Sequence, residues 1–192
     1  MNREQWLTEA AQHVNTDIFI PLGKGAVDFR VSVGFPPKGG KPSASGKVVV
    51  GVCFPRDSSA ANIVEIFISP ILATAFEAID TLGHEMVHAI VGNECGHKGP
   101  FKRLALAIGL NNGKMTEAKA GPELTERLNA ILEKLPEYPH AQVMPDDGKK
   151  QSTRLIKVIC TECDNVARQA KTPFVAYGLV CGACNIPMVA DS

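Results

Sequence analysis

The chain has no excess of charge: 20 Lys and Arg stand against 20 Asp and Glu in 192 residues. It therefore lacks the strongly basic field of a domain that holds a polyanion with its whole surface, and any such contact must come from a local patch. It also lacks a long apolar run. The stretch leading to residue 84 is broken by Glu65 and Pro70, which excludes a membrane span of about 20 residues there. The opening MNREQWLTEAAQHV has no apolar h-region, so no signal peptide is expected, and the expected location is cytoplasmic. Nor is there a phosphate-binding loop. In PPKGGKPSASG the glycines are misspaced and Val48 stands where Ser or Thr should follow Gly46 and Lys47, so no nucleotide cofactor is expected. A hydrophobic share of 45% and a mean hydropathy of +0.02 remain, enough for one core and a small further module.

What is present is a metal-binding signature. Residues 84–88 read HEMVH, and His97 follows nine positions after the second histidine. On a helix, positions i and i+4 share a face, so His84 and His88 can offer two imidazole nitrogens to one ion. A catalytic zinc takes three protein ligands and keeps a position open for water, and the return from His88 is long enough for His97 to be the third. Glu85 lies one residue round from the ligand face, where it can take the proton of a polarised water without binding the metal. Residues 71–92 carry Leu72, Phe76, Ile79, Met86 and Ile90 at helical spacing, with Ser69 and Pro70 as the expected start and Gly92 as the stop. The spacing rejects metzincins, whose later glycine and histidine are replaced here by Val91 and Glu94. A gluzincin would use a glutamate from a later helix; Glu117 is available, but it lies in a polar stretch and is the weaker candidate.

The run HEMVHAIVGNECGHKGPFKRLALAIGL resembles the SprT-like metalloprotease domain, marked by H-E-x-x-H, a later Gly-His and a Phe-Lys pair. The resemblance extends more loosely to FRVSVGFP and IFISP upstream and to a C-terminal zinc ribbon downstream. It implies His84, His88 and His97 as zinc ligands, Glu85 as catalytic base, and substrates that are proteins on or near DNA. Small SprT-like proteins of this build occur in bacteria and their phages, in which case the expected location is the host cytoplasm. Two features depart from the pattern: Lys98, Gly99 and Pro100 intervene before Phe101, and the link from His88 is shorter than in the eukaryotic Spartan branch.

Cys160, Cys163, Cys181 and Cys184 form two C-x-x-C pairs with 17 residues between them, the spacing of a four-cysteine zinc ribbon. Four thiolates leave no open position, so this second zinc is expected to be structural. Disulfides fit poorly without a secretory signal. Cys53 and Cys95 read as small buried hydrophobes, although Cys95 lies close enough in sequence to His97 to reach the first zinc. From Lys149 onward there are six basic and three acidic residues, and Lys149, Lys150, Arg154 and Lys157 cluster before the first cysteine pair. That cluster is a candidate DNA contact, or a solvated linker.

Helices are expected at 2–14, 71–92, 99–110 and 122–134, and strands at 26–35, 47–54 and 62–68, with a short hairpin between the cysteine pairs. Tyr138 or His140 could lean over the first zinc; Trp6, Tyr138 packed in the core and an exposed His140 are the plainer expectation, and Met115 sits in too polar a setting for a Met-turn. The expected architecture is α+β: a minimal zincin-like metalloprotease domain over 1–145, with linker and zinc ribbon over 146–192. The expected activity is zinc-dependent peptide hydrolysis, with two zincs per chain, a protein or peptide substrate, possible DNA and no membrane partner. A nucleic-acid or transcription-associated binding protein with an idle zincin site is the alternative, and a hydrolase of small amides a third.

Overall fold

Asn2 opens the first helix with a reciprocal cap, its side chain and that of Gln5 each accepting the other's backbone N–H at 2.8 Å. The structure, a computed structural model, describes residues 1–25, 28–36, 48–144 and 155–191. Most of the expected loop at 36–46 lies outside the described residues, as do Lys149, Lys150 and Arg154. By its internal contacts the chain divides into two units, Met1–Pro145 and Asp146–Ser192.

In the first unit, Arg3–Val14 (α1) buries Trp6, Leu7, Ala10, Ala11 and Val14, then continues through a π-helical turn that buries Ile18 and Phe19. Phe29–Val33 (β1), Gly51–Phe54 (β2) and Val64–Ile68 (β3) form a sheet in the order β1-β3-β2. β1 runs parallel to the central β3, and β2 runs antiparallel to it at an edge. Alternation sends Val64, Ile66 and Ile68 into the core, against the helix that carries residues 84–88.

That helix is Ala75–Val91 (α2). Its start differs from the expected one: Pro70 ends a buried approach segment, and Thr74 is the cap, its hydroxyl accepting Glu77 N–H while Glu77 accepts from Thr74. A threonine–glutamate box satisfies two end donors, which Ser69 does not, so the helix begins four residues later than expected. Pro100–Ile108 (α3) and Pro122–Leu132 (α4) both begin at a proline, whose missing N–H costs nothing in a first turn. Between them lies a small ribbon, Leu110–Asn112 (β4) against Lys119–Ala120 (β5), too short to give a sequence period. The whole unit is a mixed α+β structure with small sheets.

In the second unit, Leu155–Ile159 (β6) pairs with Val166–Ala170 (β7) on one side and Val189–Ala190 (β8) on the other, both antiparallel. The segment between the cysteine pairs is more than a hairpin, since β7 is followed there by the short helix Lys171–Tyr177 (α5). Among the described residues, no helix is long and apolar enough to cross a membrane.

Two candidate metal centres

Three imidazoles converge at the end of α2. His97 Nε2 lies 3.2 Å from both His84 Nε2 and His88 Nε2. A four-coordinate ion held at roughly 2.0–2.1 Å needs its nitrogen donors ~3.3 Å apart. As a hydrogen-bonded trio the same arrangement is poor, because one Nε2 cannot serve two others that both point lone pairs or both point protons at it. These three residues form a group that could hold a metal ion. Burial and the neighbouring rings push His84 and His88 down to about 4, and burial lowers His97, so all three are neutral with lone pairs available at pH 7.

The local sequence explains the convergence. α2 stops at Gly92, which adopts φ +86 and whose N–H bonds to His88 O at 2.9 Å. Two overlapping tight turns follow, Gly96 N–H to Asn93 O and Lys98 N–H to Cys95 O, and His97 lies inside the second. Asn93 anchors this return by donating to Cys53 O on β2 at 2.7 Å. Phe101, fully buried on α3, touches all three rings, with centroid distances of 5.0, 4.3 and 4.7 Å to His84, His88 and His97. Its inward position was readable from helical spacing, but its contact with every candidate ligand was not.

Glu85 is buried between α2 and the edge strand β2, and no metal-donor role is assigned to it by the geometry. A Cβ added at Gly51 would lie 2.6 Å from Glu85 Oε1 and 2.7 Å from Thr81 Cγ2, so only glycine lets strand and carboxylate approach this closely. Burial raises the Glu85 carboxyl to about 8. Burial, with the Glu85 charge beside it, likewise raises the Cys53 thiol to about 12. A cleft of about 340 Å³ opens beside His88, bounded by Cys53, Arg56, Asn62, Asn93 and Glu94.

The Ala118 backbone acts on His84 in the direction that raises its pKa, against the larger effect of burial. Among the described residues, the buried His88 Nδ1 has no hydrogen-bond partner. One turn before His84, Asp80 is also buried; Oδ1 accepts Ala120 N–H at 2.9 Å, and Oδ2 lies 3.3 Å from Lys119 Nζ. Desolvation raises the Asp80 carboxyl against the pull of Lys119.

Other candidates lie elsewhere. Cys95 Sγ faces the carbonyls of Gly92 and Gly96 and is not in the donor group, nor is Glu117. Tyr138 packs on Trp6 at 4.5 Å and on His140 at 5.0 Å. His140 Nε2 meets Pro70 O at 3.0 Å, so this aromatic strap is tied to α1 and the approach to α2. Met115 is partly buried against the core.

In the second unit, the four cysteine sulfurs lie within 4.8 Å of one another and could hold a metal ion. Cys163 Sγ and Cys181 Sγ are 3.6 Å apart, near the ~3.8 Å expected for tetrahedral thiolates at roughly 2.3 Å from the ion. Each pair sits in the same loop. Cys160 N–H donates to Asn165 O and Asp164 N–H to Cys160 O, just as Cys181 N–H donates to Ile186 O and Asn185 N–H to Cys181 O. Asp164 and Asn185 take the same left-handed turn, at φ +54 and +55. Backbone N–H groups of Cys184 and Ala183 point at Cys181 Sγ and draw its thiol down to about 6. Of the basic cluster, Lys157 is described: it pairs with Asp191 at 2.5 Å and lies across from Arg168.

Comparison of the chain with family models, curated proteins and solved structures finds no match in any of the three.

Proposed function

We propose that the chain is a zinc-dependent metallopeptidase of the SprT-like type, with a zincin-like first unit and a structural zinc ribbon as the second. The observation that carries this reading is the convergence of three neutral imidazole nitrogens beside a buried carboxylate of the same helix. The donor set fits zinc: three nitrogens, with His97 at tetrahedral spacing from each of the other two, leave a fourth direction free, whereas the Cys160, Cys163, Cys181 and Cys184 set is closed. Bound at His84, His88 and His97, zinc would supply Lewis acidity toward a water and a substrate carbonyl.

The chain's own groups do the rest. Glu85 takes the proton of the attacking water and returns it to the departing amine nitrogen. Burial raises the Glu85 carboxyl to about 8, and a positive charge held at the histidines would favour its ionised form and make it a base near neutrality. β2 holds the substrate. Val50 O accepts Ser69 N–H at 2.8 Å, so alternate residues Val50, Val52 and Phe54 turn their backbone groups to β3. Gly51 and Cys53 therefore turn theirs outward, and among the described residues no strand pairs with that edge. Asn93 occupies Cys53 O, leaving the Gly51 backbone beside Glu85 for an extended peptide to join as a further strand.

Proteins on DNA are the proposed substrate class. Lys157 and Arg168 on the ribbon sheet, with Lys149, Lys150 and Arg154 just before it in sequence, support phosphate contact there. The test is hydrolysis of casein by zinc-loaded protein, with and without single-stranded DNA, before and after chelation. Cleavage that chelation abolishes and zinc restores is the expected result. Protein with a full His-site metal load that cleaves nothing, yet binds DNA, would be the binding protein with an idle site instead.

A further inference from the structure

We propose that the groove between the last turn of α2 and the start of α3 docks an acidic amphipathic segment of a partner protein, with Lys24 and Arg103 taking its carboxylates. This face lies outside both candidate metal centres, and the proposal stands whether or not the His site holds an ion.

The face begins with a turn. After Phe19 the chain makes the 3-10 turn Ile20–Leu22, which ends at Gly23 in the left-handed region, φ +67. Ile18 and Phe19 are buried, but Ile20 and Leu22 are left 51% and 42% exposed. Leu22 forms one wall of a groove of about 520 Å³, against Ile90 and Val91 of α2 and Leu104 of α3. That volume falls within the range of roughly 300–1,000 Å³ typical of ligand sites. α3 adds a further exposed apolar side chain, Leu106, at 45%. A single exposed leucine needs no explanation, but several such side chains on the segments that form one apolar groove mark a surface kept for a partner.

Charge decides which partner. Residues 20–24, 90–91 and 100–107, the segments that form the groove, carry Lys24, Lys102 and Arg103 and no Asp or Glu. Residues 1–148 as a whole hold 14 basic and 17 acidic residues, so this face runs against its background. Lys24 and Arg103 line the groove itself and are exposed. Among the described residues, neither side chain has an ion pair or a hydrogen bond. Free cations on an apolar trough suit carboxylates on a segment whose apolar side enters it, the helix-in-groove mode of recognition. A nucleic acid suits it less: bases stack on aromatic faces, and the lining has none. Val91 and Pro100 also line the groove, and they flank residues 92–99, the return that carries His97. A docked segment is thus held beside the candidate metal centre, while no candidate ligand lines its groove.

The experiment uses the full chain and a fluorescein-labelled peptide of three Leu-Glu-Glu-Leu repeats, followed by fluorescence anisotropy. Peptides with Ser for Leu, and with Lys for Glu, test the apolar floor and the cations in turn. The Leu–Glu peptide should bind about 10-fold more tightly than either. Lys24→Glu/Arg103→Glu should weaken it about 10-fold, because like charges facing across an interface oppose binding. Ala107→Trp, at an exposed position in the lining, should weaken it comparably by filling the groove with no change of charge. Both variants alter exposed residues only, so circular dichroism and metal content should match the wild type. Equal binding of the Leu and Ser peptides, binding unmoved by both variants, or no binding at all would overturn the proposal. An oligothymidylate that binds through the same two cations more tightly than the peptide would make the face a nucleic-acid surface. A dimer that Ala107→Trp abolishes would make the occupant a second copy of the chain. Either result also overturns it.

Discussion

Among the described residues, thirty buried apolar side chains form the core of Met1–Pro145, whereas that of Asp146–Ser192 has four, two of which are Cys160 and Cys181. In the first unit, α2, the return after Gly92 and Phe101 bring the histidines together within a large apolar core. In the second, the donors are themselves half the core, and the strands that flank them are mostly exposed. A site may thus be a product of its fold or a cause of it, and the two should respond oppositely to the same insult.

Metal removal should separate them most. A strong chelator under reducing conditions should leave the first unit folded and unfold the second, because a structural zinc can contribute about 10–16 kcal/mol to so small a module. Nitrogen–proton NMR or limited proteolysis would show it. A ribbon that stays folded without metal would break the contrast.

Glu85→Gln probes the other half of the contrast, a site whose geometry survives a change in chemistry. Both metals and the fold should remain, while peptide hydrolysis falls by about 10²–10⁴-fold, since an amide cannot accept the water proton. Metal analysis beside a peptidase assay would check it.

The third test is pH, on protein stripped of metal. His84 and His88 titrate near 4 when folded against 6.5 otherwise, so the unfolded chain binds more protons between those values and stability rises with pH there. Glu85 titrates near 8 when folded against 4.5, so the folded chain holds the extra proton and its contribution is lost as pH rises from 4.5 to 8. Denaturant midpoints should show metal-free Glu85→Gln gaining on the wild type progressively across that second window. A constant difference would place Glu85 in water, not in the core.

The smallest effect is expected at Gly51→Ala. Its methyl group would meet Glu85 and Thr81 at under 3 Å, and overpacking of this kind costs about 1–3 kcal/mol. Thermal unfolding should register that loss while the ribbon's metal content stays constant. Unchanged stability would mean that β2 yields more readily than a core-made site should.

The sequence carried the donors but not the devices that aim them. Periodicity and spacing are local, so His84 and His88 on α2, the third imidazole, the two cysteine pairs and three of the helices could be read directly. Thr74 was passed over because a serine–proline pair is the louder signal, although the Glu77 that completes the cap was present three residues later. β4, β5 and α5 were missed because two or three residues show no period and seven barely show one. Gly51 under Glu85 and Phe101 under three rings are meetings of distant segments, which no local pattern records.

The near-duplicate loops at Cys160–Asn165 and Cys181–Ile186 bear on the order in which the four cysteines would take up an ion. Each loop is a two-toothed clasp that needs only six residues to close, so either can seize metal while the rest of the unit is unformed. The other clasp then arrives from the same molecule, at an effective concentration on the order of millimolar for a tether of this length. Loading would then be a sequential capture in which the first, bimolecular encounter sets the dependence on free metal. The second step slows only as about the −3/2 power of tether length, so the stretch between Cys163 and Cys181 can lengthen considerably before the ion is lost to competing thiols.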